Sequence, residues 1–217
     1  MNVLFIGNSY TYYHDMPALL EKLCKENGKD TAVCSITKGG RKLESYLDPE
    51  DEITRALDTA LSENSFDICF IQEQSVLPAA EFDTFIKGLN CVVDKVKNKA
   101  DRLVLYATWG RQAGHPVLAE HGWTTASMTR LLADAYSRAA KQVGADLSPV
   151  GENFLYVTEQ YPDVNLYDAD KTHPSYEGSC LAALTHYHTL FGAFPVHTAS
   201  LALSDATLSA FRAAVCR

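Results

Sequence analysis

The chain has 217 residues, 47% of them hydrophobic, which is enough for one well-packed core and short for two. Its 27 acidic against 19 basic side chains give a formal charge of -8, which argues against nucleic acid or an anionic membrane surface as a general partner, because phosphate binding needs a basic field. No apolar run approaches the ~20 residues of a membrane span, and no charged and apolar leader pattern precedes the first strand-like run, so a soluble, cytoplasmic protein is expected.

Asn2–Ile6 is apolar and partly β-branched, as a strand covered on both faces would be. Gly7 then allows a tight strand-to-helix turn that leaves Ser9 at the open end of a sheet. Further strand-like runs follow at Thr31–Ile36, Phe66–Ile71 and Leu103–Thr108, with a weaker one at Asp146–Pro149. Helical spacing of apolar residues recurs between them, over Met16–Asn27, Ile53–Glu63, Phe82–Lys99 and Thr125–Val143. Two more helices are predicted near Tyr176–Phe191 and Ser204–Val215. This alternation predicts a single α/β domain over residues 1–217, with about five parallel strands between helical layers. One long connection stands out, from Trp109 to about Trp123. Its Gly, His and Trp content at the active end of a sheet suits a substrate-shaping loop, with Trp109, Arg111 and Trp123 as candidate lining residues and the tryptophans equally able to pack the loop down.

The six cysteines form no C-x-x-C pair, so neither a zinc signature nor a redox motif is present, and Cys34 and Cys69 read as buried small hydrophobes. His186 and His188 are two apart on a predicted helix and face different ways, a poor geometry for shared ligation. His115 and His121 sit six apart in the long connection, and His14 follows an aromatic pair as surface or pocket wall. No metal or organic cofactor is expected.

Loops that follow the strands of an open α/β sheet share one edge, so residues distant in sequence meet there. Those segments supply Ser9, then Gly39-Gly40, then Gln72-Glu73-Gln74-Ser75, and finally Asp170-Lys171-Thr172-His173. Serine is a weak nucleophile near neutral pH and needs an imidazole to take its proton, a role His173 can fill. The imidazole in turn needs an acceptor on its other nitrogen. Asp170, three residues earlier, is better spaced for this than Asp168. An oxyanion formed on the attacked carbonyl needs preorganised donors, available from the Ser9 and Gly40 amides and from a Gln72 or Gln74 side chain. Against this stands the plain reading of Ser9 as a helix cap and of the glycines as turn formers.

These blocks, in this order, resemble the SGNH hydrolases, also called GDSL-like esterases and lipases. Ser9 matches the nucleophile of that superfamily, Gly40 its oxyanion glycine, and Asp170 with His173 its late pair. The resemblance spans nearly the whole chain and implies a flavodoxin-like three-layer α/β/α fold and ester hydrolysis through an acyl-enzyme. Two positions depart from the pattern. Asn8 stands where an aspartate is usual, and the third block reads Gln-Glu-Gln-Ser without the expected asparagine. Acetylesterases of the superfamily carry a Gln-Gly-Glu-Ser stretch there, and the GGRKLESY segment is similar to their glycine block. On that likeness Gln72 is the first choice for the third oxyanion donor and Gln74 the second. The expected substrate is a small acyl ester, such as an acetylated carbohydrate. The alternatives are a binding protein that keeps the fold without turnover, and a flavodoxin-like nucleotide or flavin binder that cradles a phosphate at the GNSYTYY turn.

Overall fold

The computed structural model describes residues 1–217. Five parallel strands form one sheet: β1 (Asn2–Gly7), β2 (Ala32–Thr37), β3 (Phe66–Ile71), β4 (Ala100–Tyr106) and β5 (Asp146–Ser148), in the spatial order β2-β1-β3-β4-β5. Ten helices surround it: α1 (Ser9–Tyr12), α2 (Met16–Glu26), α3 (Glu52–Glu63), α4 (Leu77–Ala80), α5 (Phe82–Val96), α6 (Pro116–His121), α7 (Thr125–Val143), α8 (Val150–Gln160), α9 (Tyr176–Phe191) and α10 (Asp205–Val215).

Successive residues of β1 point to opposite faces, and both faces are sealed. Val3 and Phe5 join the core under α2, α8, α9 and α10, where Phe5 stacks on Phe70 with ring centroids 4.7 Å apart. Leu4 and Ile6 join the opposite core under α3, α5 and α7. This double burial explains why Val3–Ile6 and Ile68–Ile71 read as continuous apolar runs rather than alternating ones. The strand order reverses between β1 and β3, and the crevice beyond their carboxyl ends is where ligands of open α/β sheets bind.

Several boundaries differ from expectation. β4 starts at Ala100 rather than Leu103, because Ala100 and Arg102 pair with Phe66 and Ile68 although Asp101 and Arg102 mask the strand signal. It closes at Tyr106, and α5 stops at Val96 so that the Lys99 carbonyl can accept the Phe66 amide at 2.7 Å. The helix α8 was not expected at all. Its apolar positions Val150, Phe154 and Val157 have helical spacing and are fully buried, but Gly151 in its first turn obscured the start. Gly151 is needed for a close approach: a Cβ there would lie 2.0 Å from the Thr108 carbonyl oxygen. The Trp109–Trp123 connection is also more ordered than a plain loop, since His115 caps α6 through its Nδ1 and Gly122 ends it at φ 66°.

All six cysteines are free. Cys69 is buried, as expected, while Cys34 on the edge strand is only partly so. No helix is long and apolar enough to cross a membrane.

Candidate active site

The turn after β1 is built by close packing. A Cβ at Gly7 would lie 2.5 Å from Thr11 Oγ1 and 2.6 Å from Gln72 Oε1, so only glycine admits both neighbours. Asn8, and not Ser9, caps α1, accepting the Tyr10 amide on Oδ1 at 3.1 Å. The Asn8 side-chain nitrogen donates to the Arg41 carbonyl at 3.0 Å, which ties this turn to the one after β2. A carboxylate could not make that bond, which gives asparagine a physical reason at this position.

Freed from capping, the Ser9 hydroxyl meets His173 Nε2 at 2.8 Å. His173 Nδ1 lies 2.5 Å from Asp170 Oδ2. Both contacts are satisfied when Nδ1 carries the proton given to Asp170 and Nε2 accepts from the serine. Asp170 Oδ1 also accepts the Thr172 and His173 amides, each at 2.9 Å, a local turn in which Lys171 takes φ 61°. Burial pushes the Asp170 carboxyl up, but its bonds from the His173 ring and these amides outweigh that and hold it below its ordinary value. Asp168 does not compete: its carboxylate accepts its neighbour's amide, from Ala169, and it faces an adjoining cavity beside His14 and Lys171. Tyr13 stacks on the His173 ring at a centroid distance of 4.1 Å and an angle of 5°.

A cavity of about 190 Å³ opens beside the serine, lined by Ser9, Gly40, Gln74, Ser75, Arg111 and His173 among others. Ser9 opens α1, so its amide has no intrahelical acceptor. Gly40, at φ 67°, also lines the cavity, and its amide donates to no protein acceptor. Gln74 Oε1 accepts the Val76 and Leu77 amides at 2.9 and 3.1 Å, which orients the carboxamide and leaves its nitrogen without a protein partner. The first choice of Gln72 therefore has to be corrected. Its side chain is buried away from this cavity, its oxygen accepting the Asn8 amide at 2.9 Å and the Thr11 hydroxyl at 3.1 Å, and its nitrogen bonds the Glu73 carbonyl.

The three residues of the long connection go to different places. Arg111 lines the cavity. Trp109 does not: it is fully buried, stacked between Tyr10 at 4.6 Å and Phe154 at 3.9 Å, and its indole donates to the Thr172 carbonyl at 3.1 Å. It supports the Asp170–His173 loop from beneath rather than facing a ligand. Trp123 stacks on His121 and lines a separate cavity of about 500 Å³ with His115 and Leu118. Sequence reasoning missed Tyr10 and Ser75, which bond Arg111 inside the first cavity. It also missed Glu73, a fully buried carboxyl whose Oε1 accepts the Leu43 amide at 3.0 Å and the Gln74 amide at 2.6 Å. Glu73 thereby ties the segment after β2 to the one after β3. No three or more His, Cys, Asp or Glu side chains gather as a metal site.

A serine hydroxyl bonded to an imidazole that is itself held by a carboxylate, at the switch point of a parallel sheet, defines a hydrolase-type site. The same architecture recurs in known structures. A protein from Slackia heliotrinireducens described as a candidate SGNH hydrolase is 31% identical, with a TM-score of 0.77 over 88% of this chain and 98% of its own. The chain belongs to the SGNH hydrolase superfamily. A DUF4886 family protein from Bacteroides uniformis shares the fold at a TM-score of 0.85 and 19% identity, over 100% of this chain and 93% of its own. An acetylxylan esterase from Geobacillus stearothermophilus does so at 0.64 and 15%, over 91% and 96% respectively. No family model matches the sequence, and no curated protein matches it.

Proposed function

We propose that this protein is a serine esterase that removes a short acyl group, such as acetyl, from a carbohydrate-like alcohol. The observation that carries this reading is the continuous chain from Ser9 Oγ through His173 to Asp170, with contacts of 2.8 and 2.5 Å. In this reading Ser9 Oγ attacks the acyl carbonyl carbon while His173 Nε2 takes the hydroxyl proton. Asp170 holds the ring and stabilises the imidazolium. The carbonyl oxygen becomes an oxyanion, taken up by the Ser9 and Gly40 amides and the Gln74 carboxamide. Collapse breaks the ester bond, and His173 returns its proton to the departing alcohol. Water then repeats the sequence on the acyl-enzyme and releases the acid, leaving Ser9 as it began. The chemistry calls for no metal or organic cofactor.

The cavity of about 190 Å³ suits a small acyl group better than a long chain. The fold shared with an acetylxylan esterase favours an acetylated sugar as the natural ester. The phosphate-cradle alternative leaves the Ser9–His173–Asp170 chain without a purpose.

Intact-protein mass spectrometry after exposure to a small fluorophosphonate tests the proposal. One adduct is expected on the natural sequence, none on Ser9→Ala, and strongly slowed labelling on His173→Ala. Absence of any adduct on the natural protein would sink the esterase reading and favour a fold that binds without turnover.

A further inference from the structure

Two arginines of this chain are more than nine-tenths buried, and they are treated differently. Arg41 lies 2.6 Å from the Asp51 carboxylate, so its charge is neutralised. Arg111 has no carboxylate at all. Its two terminal nitrogens donate to neutral hydroxyls, one to Tyr10 and the other to Ser75 Oγ at 2.8 Å, and its Nε has no partner. Burial pushes the Tyr10 phenol up to about 12 despite the nearby guanidinium, so it offers no compensating charge. Asp170, the carboxylate of the site, is committed to His173 and two amides. The chain has 27 acidic residues, so this lone cation is not for want of partners.

A buried guanidinium without a counterion is costly, and folded proteins keep one where something else supplies the charge. Arg111, Tyr10 and Ser75 all line the cavity that holds Ser9 and His173. A guanidinium has five N–H donors, and the two bonds to hydroxyls leave hydrogens on both terminal nitrogens for a further acceptor. We propose that Arg111 is the anion-recognising residue of this cavity, and that the preferred ester carries a carboxylate close to its scissile bond. The proposal rests on the esterase reading of the same site and adds the charge of the substrate to it. Tyr10 and Ser75 act as the brace that holds the guanidinium facing the cavity, so a carboxylate meets a fork already oriented.

Binding is measured without turnover, by ligand-observed NMR titration of the Ser9→Ala protein at low ionic strength. Monomethyl succinate against dimethyl succinate places the carboxylate on the acyl side, and acetoxyacetate against methyl acetoxyacetate places it on the alcohol side. At least one anionic member is expected to bind about tenfold or more tighter than its neutral partner, and the pair that shows it identifies the side. Arg111→Met on the same background should erase the advantage, and Arg111→Lys, which keeps charge but loses the fork, should reduce it severalfold. Equal binding of anionic and neutral members in both pairs overturns the proposal. So does an advantage that survives Arg111→Met or, if that variant does not fold, one that is unchanged in Arg111→Lys. Fluorophosphonate labelling of Ser9 in the natural protein decides the esterase reading separately, so the two failures are told apart.

Discussion

Gln72 and Gln74 stand two residues apart beyond β3, yet their side chains serve different needs. Gln72 is an acceptor for the Asn8 amide and the Thr11 hydroxyl, both in the turn that carries the serine. Gln72→Ala should leave those buried donors unpaired and cost ~1–3 kcal/mol each, seen as a lower urea midpoint. Gln74→Ala removes the acceptor of the part-buried Val76 and Leu77 amides and so should also lower the midpoint, but it should in addition lower kcat by roughly 10²–10³-fold, the usual loss for one oxyanion donor. A kcat loss of that size in Gln72→Ala, with none in Gln74→Ala, would return Gln72 to the candidate site. Asn8→Asp should also destabilise, by ~1–3 kcal/mol, because it sets a carboxylate oxygen against the Arg41 carbonyl where an N–H now donates. At this scale Ser9, Asp170 and His173 were legible, since their contacts are local or follow from loop order. Gln74 was not, because which side chain faces the cleft depends on how the chain leaves the strand.

Among the elements, α8 carries the sharpest test of packing. Gly151 sits against the Thr108 carbonyl, next to Trp109, whose indole holds the Thr172 carbonyl in the Asp170–His173 loop. Gly151→Ala should therefore cost ~1–3 kcal/mol of stability, as overpacking does, and lower activity as well by disturbing the support of that loop. Thermal unfolding and esterase assays on the same variant check both halves. The apolar spacing of α7 predicted its bounds to the residue, and those of α9 also match. Where a glycine sits in the first turn of a helix, as in α8, or charged residues sit near the start of a strand, as in β4, the interaction that fixes the boundary is with a distant segment and the local pattern alone does not place it.

Taken as a whole, the molecule buries two titratable side chains that oppose each other. Burial raises Glu73 to about 7, against the bonds it accepts from Gln74 and Leu43. Burial lowers His186 to about 3, its ring sealed among Phe5, Phe70 and Tyr106. Below about pH 7 folded Glu73 holds a proton that the unfolded chain releases down to about 4.5, so acidification across that window adds stability. Unfolded His186 takes a proton below about 6.5 that the folded protein refuses, so acidification there removes stability. The slopes, ~1.4 kcal/mol per pH unit each, cancel between about pH 4.5 and 6.5. Glu73→Gln should accordingly lose stability as pH falls through this window, and His186→Gln should gain it. Urea midpoints at three pH values check the signs, and parallel profiles for the two variants would refute the account.

The amino-acid sequence by itself determined the layered α/β architecture and the order of the site-bearing segments. These follow from hydrophobic periodicity and chain order, which are local or one-dimensional properties. The tertiary structure alone decided that Gln74 rather than Gln72 faces the cavity, that Trp109 is a buried support, and that Arg111 lies beside Ser9 without a counterion. Each of those depends on where segments far apart in the chain come to rest against one another, and on the side to which a strand end turns.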